Sequence, residues 1–182
     1  MKMYKFVLVV VAALGLLTAC APEKKTDVGE MTGARMAGLI QKIDEAAEVS
    51  GNVISFKVKK REMVLVYDSN ADRVRIMRPV TSASGVSGEV YKRMLQANYD
   101  AVLDPRYAIA NDLVWAVYMH PLGQLSDGEL LSAIAQVYTT AETFGSGYSS
   151  GAFVFGGGDS NALHQELLKE LEDATKTKDK DI

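Results

Sequence analysis

NVISFKVKKREMVLVYDSNADRVRIMRPV, residues 52–80, carries the pattern on which the fold turns. Ile54, Phe56 and Val58 alternate with Ser55, Lys57 and Lys59, a period of two that puts one set of side chains on each face of a half-buried strand. The polar group Lys60-Arg61-Glu62 predicts a turn into MVLVYD, residues 63–68, which is apolar on both faces and so belongs inside a sheet. Ser69-Asn70-Ala71-Asp72 turns the chain again. In RVRIMRPV, residues 73–80, Val74 and Ile76 then face one way and Arg73 and Arg75 the other. Three strands with short polar connections make an antiparallel meander, and its apolar face needs helices to cover it.

Those helices are written on either side. Over 31–49, Met36, Leu39, Ile40, Ile43 and Ala47 recur at three- and four-residue spacing, and Ser50-Gly51-Asn52 closes the helix. After the small-residue loop TSASGVSG, Ser87 is the expected N-cap of a helix running to about residue 99, with Val90, Tyr91, Met94, Leu95 and Asn98 along one stripe. RYAIA (106–110) and LVWAVYMH (113–120) are two further strands joined by a tight hairpin at Asn111-Asp112. Tyr107 and Trp115 sit in these strands as packing residues. Ser126 with Glu129 forms a capping box ahead of Leu130, Leu131, Ile134, Val137, Tyr138 and Ala141. The expected class is therefore α+β: an antiparallel sheet of about five strands packed with helices in the order α-β-β-β-α-β-β-α. An extra C-terminal helix over 160–174 carries Leu163, Leu167, Leu168 and Leu171 on one stripe and is expected to pack on its own domain.

The N-terminus has the anatomy of an export signal. Lys2 and Lys5 precede an uncharged apolar run from residue 6 to 17, too short for the ~20 residues a spanning helix needs. A plain secretory signal and a short signal anchor share that anatomy. Leu17-Thr18-Ala19-Cys20 resembles the bacterial lipobox, in which cleavage precedes the cysteine and its sulfur receives a diacylglyceryl group. Cys20 is the single cysteine of the chain, so an internal disulfide is excluded, and thioether formation would remove a reactive thiol from an exported protein. The resemblance implies a membrane anchor through the lipidated N-terminus. Ala21, in place of Asp, implies the periplasmic leaflet of the outer membrane in a Gram-negative host. The chain then divides into a signal peptide (1–19), a flexible tether (20–30), a domain (31–144), a Gly-rich loop (145–159), the C-terminal helix (160–174) and a charged tail (175–182).

Removing 1–19 takes away two lysines and no acid, shifting the formal charge of −3 to −5. Such a chain lacks the basic footprint of a nucleic-acid binder. No cofactor motif is present. Metal binding has no support: there is no cysteine pair, no H-E-x-x-H, and Asp68-Ser69-Asn70-Ala71-Asp72 lacks the Gly and terminal Glu of a calcium loop. Catalytic residues are expected to be none. His120 ends a strand before Pro121 and suits a structural hydrogen bond, while His164 is expected on the solvated side of the last helix.

Two sets of residues are candidates for binding. Lys57, Lys59, Arg73 and Arg75 share the polar face of the meander and would attract an acidic segment or anionic headgroups; alternatively they form a solvated face interleaved with acids. In GSGYSSGAFVFGGGDS, Tyr148, Phe153 and Phe155 offer contact area within a glycine-rich loop, or the segment is a hinge whose aromatic residues patch the core.

The element order, with EVYKRMLQAN (89–98) before a strand pair and HPLGQLSDGELLSAIAQV (120–137) after it, resembles the type III secretion chaperone-like fold, especially its YbjN and Tir-chaperone (CesT) branches. The matching features are the Met94-Leu95-Gln96-Ala97-Asn98 helix ending and the Pro121-Leu122 exit into the final helix, and they span roughly 31–144. The resemblance implies binding of a protein or peptide partner without catalysis, and a possible homodimer. The alternative expectation is a lipid or small molecule held between helices and sheet.

Overall fold

The computed structural model describes residues 29–144 and 161–177; the signal, most of the tether, the Gly-rich loop with Tyr148, Phe153 and Phe155, and the end of the tail lie outside the described residues. Six antiparallel strands form one sheet: β1 (Glu48–Ser50), β2 (Val53–Val58), β3 (Arg61–Asp68), β4 (Arg73–Ser82), β5 (Arg106–Ala110) and β6 (Leu113–His120), in the spatial order β1-β2-β3-β4-β6-β5. The helices are α1 (Gly33–Ile43), α2 (Gly88–Asp100), α3 (Asp127–Glu142) and α4 (Asn161–Thr177). The expected α+β class and element order are present, with one more strand than the period-two pattern announces.

That strand, β1, corrects the first helix. The helix stops at Ile43 rather than running to Val49 because Asp44 leaves the helical path. Its carboxylate accepts the Ala46 amide at 3.1 Å and the Lys57 amide at 2.7 Å, tying the helix end to β2. The chain released beyond it pairs with β2 from Glu48↔Ser55 to Ser50↔Val53, and Gly51, at φ +59°, supplies the left-handed turn residue. All three β1 residues are exposed, a short, acid-bearing edge that discourages further pairing.

The other connections follow local chemistry. β2 and β3 close at Val58↔Arg61 across Lys59 and Lys60, at φ 46° and 69°. β5 and β6 close at Ala110↔Leu113 across Asn111 and Asp112, at φ 51° and 57°. Two successive left-handed residues are the primed hairpin geometry that matches strand twist. Ser126 caps α3 reciprocally with Glu129, and Ser87 caps α2. Asn98, from the end of α2, donates its amide to the Tyr107 carbonyl at 3.2 Å and accepts the Tyr107 N–H at 2.7 Å. It stands where a seventh strand would pair, so it closes part of the β5 edge.

The four described helices lie on one face of the sheet. Ile54, Phe56, Met63, Leu65, Val74, Ile76, Ala116 and Tyr118 point into that layer and meet α1, α3 and α4, while α2 packs on Tyr107 and Val114 at the β5 end. Eleven of the sixteen α3 residues are buried, more than a one-sided stripe accounts for, because α3 touches β4 and β6 on one side and α4 on another. As expected, α4 packs on its own domain, through Leu167 and Leu171.

One charged residue enters this core. Arg78 of β4 is 7% exposed, donates to the Tyr138 carbonyl at 3.0 Å, lies over the Tyr138 ring, and pairs with Glu142, which also takes Arg61 at 3.0 Å. The guanidinium satisfies a carbonyl in the last turn of α3 and stands at the negative end of its dipole. Glu142→Ala, which strands the buried cation, is expected to cost about 3 kcal/mol in urea unfolding, the low end for a broken buried pair because the carboxylate is partly solvated. The double variant Arg78→Met/Glu142→Leu is expected to recover most of that loss.

Candidate functional site

Because every helix covers the same side, the opposite side of the sheet has no described element over it. Strand alternation puts Val53 and Ser55 of β2, Val64 and Val66 of β3, Arg75, Met77 and Pro79 of β4, and Trp115, Val117 and Met119 of β6 on that open face. The register aligns them in rows across the strands. One row is Val53–Val66–Arg75–Met119, and the next is Ser55–Val64–Met77–Val117. Strand spacing of ~4.8 Å makes each row about 14 Å long. Most of these side chains shield one another and are half-buried, but Met119 is 63% exposed. An apolar floor of this kind on an uncovered sheet is the usual form of a contact surface.

The basic candidates divide. Arg73 and Arg75 are exposed on the open face as their spacing predicts, and with Val66, Asp68 and Met119 they line a cleft of about 430 Å³ at the β3–β4 end. Lys57 is on the same face, but its ammonium is 3.1 Å from Glu62 across the strand pair, the acid-interleaved arrangement. Lys59 departs from the expectation. It occupies the β2–β3 turn rather than the strand, and its ammonium reaches Glu170 of α4 at 3.0 Å. That hydrogen bond holds the lysine above its usual pKa range and makes Lys59 a tie between hairpin and helix. The strand pattern misassigns it because β2 ends at Val58, one residue earlier.

A second exposed apolar surface lies on the outside of α2, where Leu95 and Tyr99 are 71% and 85% exposed beside Lys92, Arg93 and Asp100. Tyr107, by contrast, is core, with its hydroxyl donating to the Thr140 carbonyl at 2.8 Å. Trp115 packs on the open face, its indole N–H bonded to the Ala110 carbonyl at 3.0 Å.

The two histidines have structural surroundings. His120 makes the expected hydrogen bond: Nδ1 donates to the Pro121 carbonyl at 2.8 Å, with the ring stacked on Tyr118. Burial pushes the Tyr118 phenol above its ordinary pKa, assisted by Asp104 and Glu129. His164 corrects the sequence expectation. It is buried, not solvated, because it shares the stripe His164–Leu167–Leu171 that meets the core. Among the described residues no group of three or more His, Cys, Asp or Glu stands close enough to hold a metal ion, and no helix is long and apolar enough to cross a membrane.

Burial holds the His164 imidazole below the usual histidine range, so the folded chain resists the proton that the unfolded chain accepts below about pH 6.5. Stability is therefore expected to fall as pH drops through that region. His164→Leu should flatten this part of the profile, read as the urea midpoint at pH 7.5 and 5.5 for both chains.

No family model and no curated protein matches the sequence. The fold is similar to a chain of the HopA1–SchA chaperone–effector complex, at 12% identity and TM-score 0.47, over 59% of this chain and 90% of that one. It is also similar to the Yersinia pestis type III secretion chaperone SycH in complex with a stable fragment of YscM2, at 12% identity and TM-score 0.45, over 60% and 98%. A chain of the ExsC–ExsE complex is similar at 10% identity and TM-score 0.49, over 62% and 92%. These are likenesses of backbone layout; the contact surface is described by this chain's own residues.

Proposed function

We propose that the chain is an exported lipoprotein whose domain binds a polypeptide partner, without catalysis, at the bacterial envelope. The open sheet face is the observation that carries this reading. A sheet with four helices on one side and an apolar, partly exposed floor on the other presents main-chain-ordered contact area with little entropy left to lose on binding. Leu17-Thr18-Ala19-Cys20 supports the anchor, and the tether after Cys20 gives the domain reach from the bilayer. Ala21 supports sorting to the periplasmic leaflet of the outer membrane. Met94–Asn98 and Pro121-Leu122 support a place near the YbjN and CesT branches, with Asn98 as the residue that completes the β5 edge.

The alternative, a lipid or small molecule between helices and sheet, meets an interface filled by Ile54, Leu65, Ile76, Leu130 and Ile134, all fully buried. A homodimer, if formed, has the outer side of α2 with Leu95 and Tyr99 available to it, and sedimentation of the mature chain carrying Cys20→Ala measures it.

Two variants test the proposal in the cell. Cys20→Ala is expected to abolish labelling by radioactive palmitate and to release the protein from the membrane fraction. Met119→Glu, at an exposed position, is expected to leave folding and anchoring intact and to reduce crosslinked partner at least tenfold. Retention of the partner by Met119→Glu, or copurifying lipid in place of any partner, would count against the reading.

A further inference from the structure

We infer that the polypeptide recognised by the open face is an acidic amphipathic segment, whose carboxylate is taken by Arg75 while its apolar side chains lie on the apolar residues around it, Val66, Met77, Val117 and Met119. The inference rests on the proposed open-face reading and adds the chemistry of the partner. Arg75 lies between Val66 on β3 and Met119 on β6, so its neighbours in the row are apolar. Among the described residues its side chain forms no hydrogen bond or ion pair.

Of the other charges on this face, Glu48 stands exposed at the β1 edge opposite Ser55, and the rest are engaged. Lys57 pairs with Glu62. Arg106 donates to the Leu103 and Pro105 carbonyls, and Arg73 donates to the Asp72 carbonyl. Asp68, the acid nearest the cleft, accepts the Asn70 and Ala71 amides of its own turn at 2.9 and 3.0 Å. Two guanidinium groups against one occupied carboxylate leave the cleft positive on a chain whose net charge is −3.

A guanidinium over an apolar floor is a strong carboxylate receptor. Its fork binds both oxygens, and the low-dielectric surroundings strengthen the attraction once water is displaced. The net negative charge of the chain disfavours acidic segments elsewhere on its surface, so Arg75 confers register as well as attraction. Apolar residues on the segment must flank the acid, because Val66 and Met119 stand beside Arg75 in its own row and Met77 and Val117 in the next.

The test uses the mature full chain carrying Cys20→Ala and a random 12-residue peptide library displayed on phage. Enriched peptides are expected to carry Asp or Glu beside apolar residues, and individual winners to lose at least tenfold in affinity against Arg75→Glu while binding the α4 variant Lys169→Glu unchanged. Winners without acids, or acidic winners that bind Arg75→Glu as well, overturn the charge assignment; if those peptides are still lost with Met119→Glu, the open-face reading survives it. No enrichment on the open face, judged by Met119→Glu, overturns both. Phosphatidylglycerol vesicles form a second arm: Arg75-dependent vesicle binding without peptide binding makes the surface a membrane contact and sinks the proposal.

Discussion

The domain leans on α3. A sheet of six strands exposes an apolar face that no single amphipathic helix covers, and α3 meets β4 and β6 while giving α4 and α1 a surface to pack against. Its burial on several sides leaves its C-terminal carbonyls in a drying environment, where unpaired backbone groups are costly. Arg78 reaches this end from the sheet, donating to the Tyr138 carbonyl, and Glu142 answers the charge that Arg78 brings. The layers are thus joined by packing along α3, by the Arg78 and Arg61 pairs with Glu142 at its end, and by Lys59 with Glu170 on α4.

From this arrangement the one-sidedness follows. With α1, α3 and α4 stacked on the β2–β3–β4–β6 region and α2 filling the β5 end, the hydrophobic demand of one face is met, and among the described residues no element covers the other. The strands of the open face are held from behind by the helix layer, and its side chains point away from that core. That separation allows a contact surface to be built without cost to folding. Asn98 closes part of the β5 edge and β1 is a short, exposed edge, so the broad uncovered surface is the face rather than the edges.

Much of the fold was legible because it rests on short-range physics. The 106–110 and 113–120 strands, the Asn111-Asp112 turn and the Ser126–Glu129 cap each depend on residues within a few positions of one another. The first helix was overextended because its stop is tertiary: Asp44 ends it partly by reaching Lys57 in β2. Lys59 was placed on the sheet because period two continues through it, although a Lys-Lys pair gives little sign of a left-handed turn. Two inward placements are written in the periodicities. Alternation from Val74 and Ile76 puts Arg78 on the inward side, and helical spacing puts His164 with Leu167 and Leu171. Of the surface itself, the polar alternation located Arg73 and Arg75, but the apolar floor beside them needed the cross-strand register.

The most direct measurement is site-specific photo-crosslinking in the cell, comparing a crosslinking residue at 119, on the open face, with one at 169, on the outer side of α4, in the otherwise unaltered chain. The account predicts a discrete polypeptide adduct from position 119 and none from 169. Equal adducts from both positions, or adducts at 119 to lipid alone, would contradict it.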